Sequence, residues 1–83
     1  MSELTVAVIS PEQVVYEGTT SSVVAPAFDG EVGILPGHAP MLTLLGEGVL
    51  RIGDQVRVNV KGGFVQVADN VVRVVTEKAE TAK

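Results

Sequence analysis

The chain lacks several residues on which common sites and scaffolds depend. It has no cysteine, no tryptophan, one histidine, one tyrosine and two phenylalanines among 83 residues. Without cysteine there is no disulfide framework and no thiolate metal site, and a single histidine leaves little for zinc or copper. No dense acidic loop of the calcium-binding kind occurs either. We therefore expect neither a metal nor a cofactor.

Positive charge is also scarce, and no apolar run is long. Six Lys and Arg are scattered among ten Asp and Glu, and the net charge is −4. Nucleic acid and anionic lipid both require clustered positive charge, and a membrane span requires about 20 apolar residues. The first residues, MSELTV, lack the basic and apolar regions of a secretory signal. These features predict no nucleic-acid partner and no direct insertion into a membrane.

What the chain does have is valine, at 17 positions, often alternating with polar residues. The period-two pattern of QVRVNV is typical of a half-buried strand. Residues 48–77 predict a four-stranded antiparallel meander, with tight turns at Gly53-Asp54 and Asp69-Asn70. The first third of the chain also predicts short strands. So many strands in a small chain cannot form one flat sheet with two wet faces. We predict an all-β fold, a small two-sheet antiparallel β-sandwich of about nine to ten short strands.

The sequence offers little for catalysis. His38 is the only candidate base, no serine sits in a glycine elbow, and no phosphate-binding glycine loop precedes a helix. A local role for His38, in its loop or against a partner, is favoured. A different possibility is a carrier domain that bears a prosthetic group on Lys61 or Lys78, although Lys61 is followed by two glycines that indicate a strand break.

The stretch GEVGILPGHAPMLT, residues 30–43, concentrates backbone constraint in one place. Its glycines allow conformations that a Cβ forbids, and its prolines fix φ, so the segment is expected to be stiff and irregular. The run MLTLL, residues 41–45, does not alternate cleanly. It predicts either a core strand beside a sandwich corner or a strand whose outer face meets another protein.

The same stretch resembles the signature loop of the epsilon subunit of the rotary F-type ATP synthase, called delta in mitochondria. The family pattern reads, in outline, Gly-Glu-x-Gly-Ile-x-Pro-Gly-His-Ala-Pro-x-Leu-Thr. The matching positions are Gly30, Glu31, Gly33, Ile34, Pro36, Gly37, His38, Ala39, Pro40, Leu42 and Thr43. The YEG step at 16–18 and the strands GGFVQV and NVVRVV are similar too, so the resemblance covers nearly the whole chain.

The resemblance implies a function that composition does not reveal. It implies a non-catalytic sandwich in the rotor, between the gamma subunit and the membrane ring of c subunits, while ATP is made or split on the alpha and beta subunits. It implies that Glu31 contacts the c-ring. It also implies that His38, Thr43 and Ser10 contact gamma.

Boundaries and location follow from the same resemblance. Members of the family commonly continue into a two-helix hairpin, whereas this sequence ends at Lys83. We expect the sandwich over residues 1–77 and a short polar tail over 78–83, in a peripheral part of the complex at the cytoplasmic face of the bacterial inner membrane. The alternative function stays open: a free-standing β-sandwich that binds a ligand or carries a prosthetic group.

Overall fold

The computed structural model describes residues 3–82, which form strands joined by short turns. These residues contain no helix, and so none that could cross a membrane. The eight strands are β1 (Leu4–Ile9), β2 (Val14–Thr20), β3 (Val23–Ala27), β4 (Gly30–Ile34), β5 (Met41–Leu44), β6 (Glu47–Ile52), β7 (Val56–Ala68) and β8 (Val71–Ala82). The all-β prediction is confirmed.

The strands pair in the order β2-β1-β8-β7-β6-β3-β4, and β5 also pairs with β7. The long strands β7 and β8 run through both layers of the sandwich. The first layer contains β2, β1, the first half of β8, the second half of β7, and β5. The second layer contains β4, β3, β6, the first half of β7 and the second half of β8. If β7 and β8 are each counted once in each layer, the sandwich has ten strand segments, which agrees with the nine to ten strands predicted.

Strand β7 corrects the prediction of a break at Gly62-Gly63. It is one continuous strand that pairs with β6 before the glycines and with β5 after them. Both glycines have positive φ, 73° and 108°, a conformation that favours residues without a Cβ. The inward-facing residues change phase here, from Val58 and Val60 to Val65. The glycines therefore bend β7 from one layer into the other rather than end it.

Two tight turns adopt the geometry that their residues predict. Asp69 and Asn70 between β7 and β8 have φ of 51° and 62°, as a two-residue type I′ turn requires. Gly53, between β6 and β7, has φ of 63°. One pairing departs from the antiparallel prediction, because β1 lies parallel to β8. The chain connects these two strands through most of the fold, so the connection does not impose an antiparallel arrangement.

The polar tail predicted over residues 78–83 needs correction. Strand β8 continues to Ala82, and residues 78–82 pair with Arg57–Lys61 of β7. A polar sequence suits this position because one face of an antiparallel sheet can meet water. The boundary at residue 77 is therefore too early, and the sandwich includes the described part of this segment.

The core lies between the two layers and is almost entirely aliphatic. Thr76 is the buried polar side chain among the described residues, and its Oγ1 donates to the Lys78 carbonyl oxygen at 2.8 Å. The core residues come from strands of both layers: Leu4, Val6, Val8, Val23, Ala25, Ile34, Leu45, Leu50, Ile52, Val58, Val60, Val65, Val67, Val72 and Val74. Such a core is close-packed and resists compression.

Candidate partner-binding surfaces

The loop that carries His38 is held to the far end of the first layer. The Gly37 amide donates to Asn70 Oδ1 at 2.7 Å, and the His38 amide donates to the Leu35 carbonyl oxygen at 3.0 Å. His38 is exposed, and its Nδ1 lies 2.7 Å from the Ala39 carbonyl oxygen. That contact occupies the nitrogen that a carboxylate would orient in a catalytic triad. The imidazole therefore lies exposed on a fixed loop. Among residues 3–82, no carboxylate or nucleophile is hydrogen-bonded to it.

Ser10 lies in the turn between β1 and β2. Its amide and its hydroxyl both donate to the Gln13 carbonyl oxygen, at 2.9 Å and 3.1 Å. This side chain closes the turn as an exposed serine commonly does. A partner that contacts the Ser10 hydroxyl would therefore compete with this hydrogen bond within the turn.

Thr43 lies in β5 opposite Val65, a fully buried residue of β7. Alternation along the strand makes Thr43 half-buried, while its neighbours Leu42 and Leu44 are 68% and 61% exposed. Of the two alternatives for MLTLL, the exposed Leu42 and Leu44 favour the strand with an apolar outer face. The residues most available to a partner are thus the two leucines beside the predicted Thr43.

An apolar series continues from Leu44 across the outer face of the first layer. Leu44 is opposite Phe64, and Phe64 is opposite Val75. Val75 is opposite Ile9, and Ile9 is opposite Val14 at the edge. Directly opposed residues project from the same face of a sheet, so these side chains form one line perpendicular to the strands.

The end of strand β3 adds a sixth member to this line. The Phe28 amide donates to the Leu44 carbonyl oxygen at 3.1 Å, beside the bridge between Ala27 and Leu45. Phe28 is 66% exposed and therefore continues the series beyond Leu44. We call this set the apolar row: Phe28, Leu44, Phe64, Val75, Ile9 and Val14. At a strand spacing of about 4.8 Å, it is about 24 Å long.

The apolar row has the composition of an interface centre. Leaving one Phe or Leu side chain in water forgoes about 1.5–3 kcal/mol of burial free energy. Contiguous exposed apolar residues with polar neighbours usually mark a binding surface. Gln66, Arg73 and Glu17 lie on the same outer face, in the neighbouring line of outward-facing residues. Ser10 follows Ile9 and Thr43 precedes Leu44 in sequence, but Thr43 projects from the opposite face of β5, toward the core.

Glu31 lies beyond the Phe28 end of the apolar row, on the edge strand β4 of the second layer. It is opposite Pro26 within the β3–β4 ladder. Its Oε2 is 3.5 Å from Nη2 of Arg51, and both side chains are largely exposed. An exposed ion pair of this kind is weak and screened by water, so the Glu31 carboxylate remains available to a partner.

The two candidate carrier lysines are not presented on a hairpin tip. Lys61 and Lys78 lie directly opposite each other within the β7–β8 ladder, and Glu47 is opposite Lys61 on β6. Within residues 3–82, no group of three or more His, Cys, Asp or Glu side chains could hold a metal ion.

Residues 3–82 match the family described as ATP synthase, Delta/Epsilon chain, beta-sandwich domain. The chain belongs to this family. Among curated relatives of this delta/epsilon family, it is 46% identical over 78 residues to an ATP synthase epsilon chain of Leptospira borgpetersenii, covering 90% of this chain and 61% of that one. It is 42% identical over 80 residues to an ATP synthase epsilon chain of a Synechococcus species, covering 93% and 58%. The chain thus spans about three fifths of these relatives.

Two solved assemblies contain chains with the same fold as this family member. One is the Euglena gracilis mitochondrial ATP synthase, OSCP/F1/c-ring, with a TM-score of 0.88 at 21% identity, covering 98% of this chain and 54% of that one. The other is the central stalk/c-ring of the Tetrahymena thermophila mitochondrial ATP synthase, with a TM-score of 0.77 at 20% identity, covering 95% and 66%. At these identities the likeness establishes the fold.

Proposed function

We propose that the chain is a non-catalytic subunit of the central stalk of a proton-driven F-type ATP synthase. In this role it links the gamma subunit to the membrane c-ring and couples proton flow to ATP synthesis. Membership of the delta/epsilon family supports the proposal. The observation that carries it is the presence of two chemically distinct outer surfaces on one rigid sandwich, one apolar and one with an exposed carboxylate.

The apolar row is the proposed gamma surface. Leu42 adds exposed apolar area beside this row, and Ser10 and Thr43, which match gamma-facing positions of the family, are next to Ile9 and Leu44 in sequence. His38 is held near one end of the same layer by the bond between Gly37 and Asn70. An apolar centre with a polar rim is the usual composition of a stable interface. This arrangement supports a gamma contact that excludes water over several strands.

Glu31 is the proposed contact to the c-ring. It lies on β4 of the second layer, whereas the row residues other than Phe28 lie on the first layer, which lets one domain bind two partners at once. A single exposed charge contributes more to register than to affinity. Arg51 holds the carboxylate only weakly, at 3.5 Å, so a polar group on the ring could displace it at little cost.

Stiffness between the two surfaces suits a rotor coupling. The strands β7 and β8 run through both layers, so the two outer faces share the same continuous backbone. A close-packed aliphatic core transmits strain because it has little room to compress. From the family membership we also propose that the domain lies in a peripheral part of the complex, at the cytoplasmic face of a bacterial inner membrane.

The substitution Glu31→Lys tests the ring contact. Reversing the charge is expected to weaken ATP-driven proton pumping by reconstituted complexes, because the ring interface loses its carboxylate. It should leave the ATPase rate of the soluble catalytic complex unchanged. Glu80→Lys is the matched control, since Glu80 is an exposed carboxylate on β8 of the same layer. Equal loss of both activities, or equal effects of the two substitutions on pumping, would refute the assignment of Glu31.

A further inference from the structure

Arg73 is an exposed cation at the centre of the outer face of the first layer. The strands of this layer follow the order β2-β1-β8-β7-β5, and Arg73 lies on the middle strand, β8. It is directly opposite Ala7 on one side and Gln66 on the other. We propose that Arg73 binds a carboxylate of the gamma subunit and makes this chain selective for a gamma with Asp or Glu at that point. The inference rests on the proposed function, because it requires gamma to cover this face.

The side chains around Arg73 are uncharged, and several are small. Val71 and Val75 lie two positions away along β8 and project from the same face, and Val75 belongs to the apolar row. Ala7 is opposite Arg73, and Ala68 is opposite Val71. These short side chains leave a shallow depression beside Arg73. A side chain of a partner can enter this depression and reach the guanidinium without displacing a bulky residue.

The guanidinium of Arg73 has no ion-pair partner in the part of the chain that the structure describes, where the ion pair that occurs is Arg51–Glu31. Glu17 projects from the same face but lies two strands away, about 10 Å at the usual strand spacing. The other Lys and Arg side chains of residues 3–82 all belong to the second layer. The described first layer therefore presents an isolated, unpaired guanidinium beside the apolar row.

A partner that covers this face would remove water from Arg73. A charge that is buried without a partner is strongly destabilising, so the covering surface has to supply an acceptor. The planar guanidinium donates two parallel hydrogen bonds to a carboxylate, a geometry that lysine does not reproduce. A gamma with a neutral or positive residue at this point would leave Arg73 unpaired. One charge at the centre of the face can therefore discriminate between partners.

Affinity measurements with the alpha–beta–gamma catalytic complex test this inference. The full chain and the variants Arg73→Gln, Arg73→Lys and Arg57→Gln are titrated against the complex lacking this subunit. Arg73→Gln is expected to weaken binding by about tenfold or more, because the carboxylate of gamma is left without its cation. Arg73→Lys should bind with intermediate affinity, since it keeps the charge but loses the paired hydrogen bonds. Arg57 is the matched control, an exposed arginine on the second layer, and Arg57→Gln should leave affinity unchanged.

A second set of titrations identifies the carboxylate. The Asp and Glu residues of gamma are replaced one at a time by Asn and Gln, and each gamma variant is titrated with the natural chain and with Arg73→Gln. One gamma substitution should weaken binding of the natural chain by about tenfold and should not weaken binding of Arg73→Gln further, because that pair is already broken. The thermal unfolding midpoint of the free Arg73→Gln chain should match that of the natural chain, since Arg73 is exposed.

The outcomes separate this inference from the proposed function. If the natural chain does not bind the catalytic complex, the proposed function fails, and the role of Arg73 fails with it. If the natural chain binds but Arg73→Gln loses no more affinity than Arg57→Gln, only the assignment of Arg73 is overturned. The same assignment is overturned if Arg73→Gln binds weakly but no gamma substitution is coupled to it, or if Arg73→Gln lowers the unfolding midpoint of the free chain.

Discussion

Replacing Gly63 with alanine should destabilise the domain more than any other single methyl group added to a described glycine. A Cβ at this position would lie 1.9 Å from the Val75 carbonyl oxygen and 2.7 Å from the Thr76 Cα. Both are backbone atoms of β8, so neither can rotate away. Gly63 also has φ of 108°, where a residue with a Cβ is strained.

The magnitude follows from these two effects. Overpacking a well-filled site costs about 1–3 kcal/mol, and a strained backbone conformation costs about 1–3 kcal/mol. We expect Gly63→Ala to lower the free energy of unfolding by about 3 kcal/mol or more. A domain of this length has roughly 4–12 kcal/mol in total. The substitution should therefore leave a marginal fold, because β7 can no longer bend between the layers.

Urea unfolding followed by far-ultraviolet circular dichroism measures the change. Gly33→Ala is the matched control: Gly33 is in β4, lacks a positive φ, and its added Cβ would meet nothing within 4 Å. The control is expected to change stability by less than about 1 kcal/mol. If Gly63→Ala were as stable as Gly33→Ala, the interpretation of Gly62-Gly63 as the bend shared by both layers would be wrong.

Two further predictions concern side chains that fix the loops and the bend. Asn70→Ala removes both a residue suited to its φ of 62° and the acceptor for the Gly37 amide, so it should cost about 1–2 kcal/mol and loosen the His38 loop, measured by amide hydrogen exchange. Unchanged exchange at Gly37 and His38 would contradict this. Thr76→Val should cost about 1 kcal/mol in urea unfolding, because the Lys78 carbonyl oxygen loses a donor at a buried position. A more stable valine variant would show that this bond contributes nothing net.

Local pattern predicted the strands and the turns well. Alternation in QVRVNV identified the buried Val58 and Val60, and the residue types at Asp69-Asn70 identified a turn with positive φ. These features depend on neighbours within a few residues, so the sequence specifies them directly. The prediction of a strand break at Gly62-Gly63 was wrong. Two glycines between alternating runs fit a bend within one strand as well as a break between two strands.

The apolar row could not be predicted because it depends on register between distant strands. Phe28, Leu44 and Val14 are far apart in sequence, and only the pairings of β1, β5, β7 and β8 place such residues in one line. The MLTLL run gave a local signal, since its failure to alternate indicated either a core strand or an apolar outer face. The family resemblance identified Ser10 and Thr43 beside the row but not the row itself.

The proposed function requires that the chain bridge gamma and the c-ring, and one binding measurement tests this directly. Immobilised alpha–beta–gamma complex is mixed with detergent-solubilised c-ring, with and without the 83-residue chain. We predict that the catalytic complex retains the ring only when the chain is present, and that Leu44→Ser and Glu31→Lys each reduce retention. Retention that does not depend on the chain, or a chain that binds neither complex, would contradict the account.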